Sequence, residues 1–334
     1  MNKNIFKDQS ILVTGGTGSF GKCFIGTVIK KFSPKKLVVL SRDELKQYKL
    51  SQEINEKKYP CIRYFLGDVR DKDRINRAFS GIDIVIHAAA MKHVPAAEYN
   101  PTECIATNIL GAQNIIDAAI SNNVKLVLAL STDKAANPIN LYGASKLCSD
   151  KLFIAANNLA GKHKTRFSIV RYGNVIGSRG SVIPYFKELI ARGQKKLPLT
   201  HQNMTRFIIS LQDGVNFVIN RLIDMKGGEI FVPKIRSLRI IDLIEVMAGK
   251  GNFDVVGTRP GEKLHEVMIP KEESFNCIEL EDFYVIPPTF SWWNKKELEK
   301  NLIKSGKIVN KEYEFNSGNK DLLLSKKEIK DLLM

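Results

Sequence analysis

The chain has 334 residues, 44% hydrophobic and 8% aromatic, enough for a large globular core, with no apolar run near the ~18 residues of a membrane helix and no signal-peptide core in Met1–Lys7, so a cytoplasmic protein is expected. A formal net charge of +16 suits an anionic partner, but the lysines are dispersed without aromatic interleaving or a helix-turn-helix or zinc pattern, so solvated faces account for most of the charge and a polyanionic ligand for some of it. Five scattered cysteines without a C-x-x-C pair indicate neither a disulfide framework nor a metal site.

In chain order, Ile11–Thr14 reads as an apolar strand that runs into Gly15-Gly16-Thr17-Gly18-Ser19-Phe20-Gly21 and then an amphipathic helix, Lys22 to Phe32. Strand, Gly-rich turn and helix form the dinucleotide fingerprint, here spaced G-x-x-G-x-x-G. Gly15 permits the tight turn, Gly18 the approach of a pyrophosphate and Gly21 the close packing of helix on strand. Thr17, Ser19 and Phe20 belong to the same cradle. A second strand, Val38–Leu40, ends in Ser41-Arg42-Asp43-Glu44 with Lys46 one turn on. A neutral Ser41 followed by Arg42 favours NADP, since Arg accommodates a 2'-phosphate; Asp43 leaves NAD open. An ion pair of Arg42 with Asp43 or Glu44 is the alternative.

Tyr64–Leu66 is the third strand, with Asp68 and Val69 following where an adenine lies in a doubly wound sheet. Asp83–His87 is the fourth and ends in Ala88-Ala89-Ala90, small residues that let a flat ligand reach the backbone. His87 reads as structural. Asn108 lies on an amphipathic segment, Pro101 to Ser121, that packs beside this region. The repeated β-α alternation predicts an α/β fold, a Rossmann-like doubly wound parallel sheet.

The fifth strand, Val124–Leu130, delivers Ser131-Thr132-Asp133-Lys134 at its C-terminal end, where open α/β sheets bind ligands. Tyr142 and Lys146 follow, four apart and therefore on one face of a helix that continues from Ala144 to Asn157. An ammonium beside a phenol pulls the phenol pKa down and makes it a base for a hydroxyl proton.

After a further strand, Phe167–Arg171, the alternation weakens. The expected division is a dinucleotide-binding domain over 1–176, completed by parts of 205–235, and a smaller substrate-binding lobe and tail over 177–334. Arg179, Arg206 and Arg259 are candidates to grip a diphosphate, or surface arginines. Lys92, Asn174, Val182, Thr200, Met204 and Glu262 complete the candidate substrate contacts. The tail, Lys295 to Met334, is Lys/Glu-rich and expected to be partly helical, without chemistry of its own.

The fingerprint, Ser131-Thr132-Asp133-Lys134 and the run Ala135 to Lys146 together resemble the extended short-chain dehydrogenase/reductases over essentially the whole chain. Asp-Lys in place of Asp-Glu is similar to the UDP-N-acetylglucosamine 4,6-dehydratases, and a short chain that keeps Tyr142 is similar to the C5-inverting subgroup, which begins pseudaminic acid synthesis for flagellin glycosylation. The resemblance implies a tightly held, recycled NADP, a UDP-sugar substrate and a homo-oligomer, dimer or hexamer. It implies that Tyr142 takes the C4 hydroxyl proton, Thr132 steadies that oxygen, Lys134 removes the C5 proton as a neutral amine and Asp133 protonates the departing C6 hydroxyl. Adjacent Asp133 and Lys134 also invite an ion pair that shifts both pKa values the wrong way. A C5-retaining dehydratase and a nucleotide-sugar 4-epimerase share much of this pattern. An NADP-sensing regulator is the non-enzymatic alternative.

Overall fold

The computed structural model describes residues 4–161, 163–178, 180–290, 306–310 and 312–333. Its first half alternates strictly: β1 (Ser10–Thr14), α1 (Ser19–Lys31), β2 (Lys36–Ser41), α2 (Glu44–Glu53), β3 (Ile62–Leu66), α3 (Lys72–Ala78) and β4 (Ile84–His87). Then come α4 (Val94–Tyr99), α5 (Pro101–Ile105), a single wide π-type turn (Ala106–Leu110) and α6 (Gly111–Ser121), so the segment read as one amphipathic stretch is interrupted at Asn108. Strand β5 (Leu126–Thr132), a 3-10 turn (Asp133–Ala135), α7 (Leu141–Leu159) and β6 (Arg166–Tyr172) complete this half.

The second half holds β7 (Asn174–Val175), α8 (Val182–Ala191), β8 (Leu197–Leu199), β9 (Thr205–Ile209), α9 (Leu211–Asp224), β10 (Ile230–Pro233), β11 (Ser237–Arg239), α10 (Ile240–Ala248) and β12 (Phe253–Val255). It ends with β13 (Val267–Ile269), α11 (Lys271–Ser274), β14 (Ile278–Glu279), β15 (Phe283–Ile286), β16 (Lys307–Ile308), β17 (Phe315–Asn316) and α12 (Lys326–Leu333). Among the described residues, the α-helix in the expected tail is α12; residues 295–305 lie outside the described residues.

The fold is the expected Rossmann-like α/β sheet. Its order is β3-β2-β1-β4-β5-β6-β10, all parallel, extended at the β10 edge by antiparallel β15, β14 and β16. Alternate side chains point to opposite faces of a strand, so Leu12 enters one core with Val85 and Val127, while Ile11 and Val13 enter another with Val39 and Ile86. Both faces are covered, which is why these strands read as nearly continuous apolar runs. A third core, built around Phe186, Leu197, Leu243 and Ile329, belongs to the second half and draws α12 onto α10. The strand order reverses between β1 and β4, and the crevice beyond their C-terminal ends is where such sheets hold ligands.

Candidate active site

The Gly-rich turn leaves β1 with Gly15 at φ +64°, a conformation that favours glycine. A Cβ on Gly15 meets the Ala89 backbone at 2.9 Å, and one on Gly21 meets Gly16 at 2.5 Å. Both glycines are thus required for β1, α1 and the strand end of β4 to approach one another. Gly18 stands at the N-cap of α1 without a side-chain cap, so backbone N–H groups and the helix dipole face the crevice. These features fit the pyrophosphate of a dinucleotide.

Around that cradle, Thr17 and Ser41 share a 2.8 Å hydroxyl contact. Arg42 does not pair with Asp43 or Glu44: its guanidinium is 61% exposed and lies 3.5 Å from Asp68. Asp43 caps α2 by accepting from the Lys46 N–H at 2.9 Å and is ion-paired with the Lys46 ammonium. Asp68 also accepts from Arg70 at 2.7 Å, and although burial opposes it, the two arginines hold its carboxyl below the usual range. Val69 is buried against α6 through Gly111.

At the end of β4, Thr14 Oγ1 accepts from the Ala88 and Ala89 N–H groups at 3.1 and 3.2 Å. Its own proton then goes to His87 Nδ1 at 2.9 Å, which leaves His87 protonated on Nε2. Burial, aided by Lys146, pushes the His87 pKa down to about 3, so this ring is a neutral structural group. Ala90 follows, and Lys92 stands exposed just beyond it. Asn108, at 2% exposure, accepts from Met91 N–H and donates to Met91 O and Ser145 Oγ at 2.8 to 2.9 Å. Its amide ties the loop after β4 to α7.

Strand β5 carries Thr132 to the crevice, and the 3-10 turn places Asp133 and Lys134 directly behind it. Thr132 Oγ1 donates to Asp133 Oδ1 at 3.0 Å. Lys134 Nζ lies 3.1 Å from Asp133 Oδ1, 3.1 Å from Glu266 Oε1 and 3.4 Å from Asn174 Oδ1. The ion pair foreseen for Asp133 and Lys134 therefore exists, and it is shared with a third group. Asp133 is fully buried with Oδ2 lacking a partner, and burial raises its pKa despite Lys134. Burial disfavours the Lys134 cation, but Asp133 and Glu266 outweigh it and raise its pKa. The resting lysine is thus an ammonium, contrary to the neutral amine that its expected role demands.

Tyr142 and Lys146 stand one turn apart in α7, whose N-cap Asn140 accepts from Gly143 N–H at 2.8 Å. Burial pushes Tyr142 up to about 12, opposed first by the charge of Lys134 and then by its hydrogen bond with Thr132. Lys146, 3% exposed, has its pKa lowered by burial against the pull of Asp150. The dominant cation acting on Tyr142 is Lys134, because the turn after β5 faces the start of α7.

The second half supplies the far wall. Asn174, Val182 and Arg206 line one small pocket with Ser181, Ile208 and Leu238. Arg206 is buried, donates to the Thr205 and Leu264 carbonyls at 2.7 and 3.2 Å, and holds Nε 3.9 Å from Glu266. It belongs to the charge cluster rather than to the surface. Arg259 is exposed on a loop where Glu262 Oε2 accepts from its N–H at 3.4 Å. That loop reaches the start of α7, since Asn140 donates to Gly261 O at 2.8 Å. Thr200 and Met204 are both buried, Met204 in the third core. Arg179 lies outside the described residues.

Several groups carry no sequence motif. Glu266 is one; Lys263, whose Nζ donates to Ala136 O at 2.7 Å, is another. Asp150 accepts from Ser131 Oγ at 2.7 Å and lies 3.8 Å from fully buried Arg171, which reaches Glu273 at 2.5 Å. The spacing of Asp150 four residues after Lys146 was the one available signal. No group of three or more His, Cys, Asp or Glu residues arranged for a metal occurs among the described residues. Nor is any described helix long and apolar enough to cross a membrane.

The profile of a family of polysaccharide biosynthesis proteins matches residues 11–288. The chain belongs to that family. Within it, the inverting UDP-N-acetylglucosamine 4,6-dehydratase of Campylobacter jejuni is 52% identical over 98% of both chains. A UDP-glucose 4-epimerase of Rickettsia canadensis is 40% identical over 85% of this chain and 84% of its own. Among solved structures, Pen from Bacillus thuringiensis superposes with a TM-score of 0.89 at 37% identity, covering 98% of each chain. The resemblance to extended short-chain dehydrogenase/reductases and to inverting UDP-N-acetylglucosamine 4,6-dehydratases thus spans the whole chain.

Proposed function

We propose that this protein is a nucleotide-sugar 4,6-dehydratase that takes UDP-N-acetylglucosamine and inverts C5. One observation carries the reading: a buried carboxyl, Asp133, and an ammonium, Lys134, 3.1 Å apart at the end of β5 and beside Tyr142. A 4-epimerase needs one acid/base group at C4. A dehydratase needs a second base for C5–H and an acid for the C6 hydroxyl. The identity to the Campylobacter enzyme supports the substrate and the stereochemistry.

A nicotinamide dinucleotide bound in the crevice above β1 and β4 would supply the hydride acceptor for C4 and the hydride donor for C6. Gly15, Thr17, Gly18, Ser19, Phe20 and Gly21 would hold its pyrophosphate, and Ser41, Arg42 and Lys46 would take its adenosine ribose. NADP is favoured because Asp43 is engaged in capping α2, whereas Arg42 is largely exposed. Tyr142 takes the C4 hydroxyl proton as its phenolate, the minor form that its raised pKa leaves and that the charge of Lys134 favours, and Thr132 hydrogen-bonds that oxygen. The resulting ketone acidifies C5–H.

Lys134 gains its basic form by passing a proton across its 3.1 Å bond to Asp133. That single transfer yields an amine and a carboxylic acid, the base and the acid the elimination requires, with no net change in protonation. Lys134 then takes the C5 proton, Asp133 gives its proton to the departing hydroxyl as water, and the ion pair is restored; hydride addition at C6 leaves an enolate that takes a solvent-derived proton at C5 on the opposite face, while Tyr142 releases the C4 hydroxyl proton to solvent. Arg206 and Arg259 are assigned to the diphosphate, with Asn174, Val182, Thr200 and Met204 shaping the sugar pocket. The division at 176, with α9 and β10 completing the dinucleotide domain, homo-oligomerisation, a cytoplasmic location and a first step in pseudaminic acid synthesis complete the proposal; the last rests on resemblance alone.

The test is mass spectrometry of the UDP-sugar after incubation with the purified protein and no added cofactor. Loss of one water supports a dehydratase, and Lys134→Ala should abolish it. The relationship to a Rickettsia UDP-glucose 4-epimerase favours a second reading, under which the sugar keeps its mass, changes configuration at C4 and survives Lys134→Ala. Bound cofactor with no turnover of any UDP-sugar points to the regulator.

A further inference from the structure

Glu266 lies just before β13, far along the chain from Lys134, yet it is 2% exposed and shares the Lys134 ammonium with Asp133 on equal terms, 3.1 Å each. Its backbone is clamped from the C-terminal segment. Glu266 N–H donates to Ser317 Oγ at 2.9 Å, and Ser317 N–H donates to Glu266 O at 2.9 Å. Ser317 Oγ in turn meets Thr205 Oγ1 at 2.7 Å, which meets His265 Nδ1 at 2.8 Å. Three separate segments therefore converge to fix one carboxylate against one lysine.

The other oxygen, Oε2, is buried with no hydrogen-bond partner, as is Oδ2 of Asp133. A buried carboxylate kept only for stability ordinarily has both oxygens satisfied, because an unpartnered one costs about 1–3 kcal/mol. A site that trades partners during turnover has reason to keep that capacity. A lysine side chain is also long and flexible, and a single adjacent carboxylate does not by itself fix its direction.

We propose, resting on the dehydratase reading above, that Glu266 is a positioning residue for the elimination: it is the second anchor that holds Lys134 Nζ in reach of the sugar instead of leaving it collapsed on Asp133. The groups whose charge meets this anchor are Asp133 and Lys134 from the turn after β5, Arg206 from β9 and Lys263 from its own loop. Among them Glu266 stays ionised: burial opposes its charge, but Lys134, Arg206 and Lys263 outweigh burial. Its charge raises the proton affinity of both Asp133 and Lys134. Removing that charge lowers both affinities, so both limbs of the pH profile for kcat/KM move to lower pH.

The experiment compares full-length wild type, Glu266→Ala and Glu266→Gln, each as purified with its cofactor, in steady-state turnover of UDP-N-acetylglucosamine across pH. Glu266→Ala is expected to lower kcat about 10²-fold while KM changes less than about twofold, the signature of a misplaced base rather than lost binding. Glu266→Gln keeps an oxygen for Lys134 Nζ, so it is expected to recover most of kcat, with the bell displaced to lower pH. Wild-type kcat and an unmoved profile in both variants overturn the proposal, as does an equal loss in both variants with no displacement. Should Glu266→Ala not fold, the displacement in Glu266→Gln decides alone. A wild type that releases no dehydrated sugar overturns the dehydratase reading itself, and this proposal with it.

Discussion

Replacing Gly143 by Ala adds one methyl group, and on helix propensity alone it should stabilise α7 by about 1 kcal/mol. The structure predicts the opposite. Gly143 sits one residue after Tyr142, in the turn of α7 that packs on the 3-10 turn carrying Asp133 and Lys134. A Cβ there lies 2.2 Å from the Lys134 carbonyl oxygen and 3.1 Å from Pro138 Cβ. The first contact is with backbone, so no side-chain rotation relieves it. Restoring an ordinary contact moves α7 and the turn apart by about 1 Å, which costs about 1–3 kcal/mol as overpacking and about 10²-fold in rate, because in the proposed mechanism Tyr142 and Lys134 address neighbouring carbons of one sugar. The assay is thermal denaturation together with turnover of UDP-N-acetylglucosamine by Gly143→Ala. A variant with wild-type melting and wild-type kcat refutes the claim that these two segments are set by direct backbone contact.

Three further outcomes follow from buried groups. The His87 pKa falls from about 6.5 in the unfolded chain to about 3 in the fold, through burial and Lys146; the unfolded state therefore takes up a proton first, and the stability His87 contributes above pH 6.5 is lost as pH falls toward 3. The difference in unfolding free energy between wild type and His87→Gln should accordingly narrow on acidification, and a constant difference would sink the assignment. Arg171→Leu strands Glu273 without its cation and leaves Asp150 with Lys146 alone, and denaturant melts should show a loss of about 3–5 kcal/mol; a change under about 1 kcal/mol would mean the network is dispensable. Ser317→Ala removes the hydroxyl clamping Glu266, so kcat should fall by about tenfold or less with KM unchanged, and a rise in KM alone would place Ser317 in binding instead.

The parts legible in the sequence are those whose physics is local. A strand, a Gly-rich turn and a helix are contiguous, so Gly15, Gly18 and Gly21 announce the crevice. Tyr142 and Lys146 are one helical turn apart, and Thr132, Asp133 and Lys134 end an apolar run. What escaped is what tertiary contact creates. Glu266 and Lys263 stand among ordinary charged residues and become part of the site only because β13 pairs with β17 and the loop before it lies on the turn after β5. The tail was read as chemically silent, yet Ser317 fixes Glu266. The expected lowering of the Tyr142 pKa by Lys146 counted one neighbour. In the fold, burial dominates and Lys134 is the stronger cation. The wide turn at Asn108 was equally invisible, and the partners its side chain meets there, Met91 and Ser145, lie in different segments.

The measurement that bears most directly on the central claim is proton NMR of UDP-N-acetylglucosamine incubated with the purified protein in deuterium oxide, with no added cofactor. The account predicts a 4-keto-6-deoxy sugar that carries deuterium at C5 with inverted configuration, because a solvent-exchanging base removes that hydrogen and hydride is recycled within one site. A product that retains its C6 hydroxyl and all its protium at C5, changed only at C4, would contradict it.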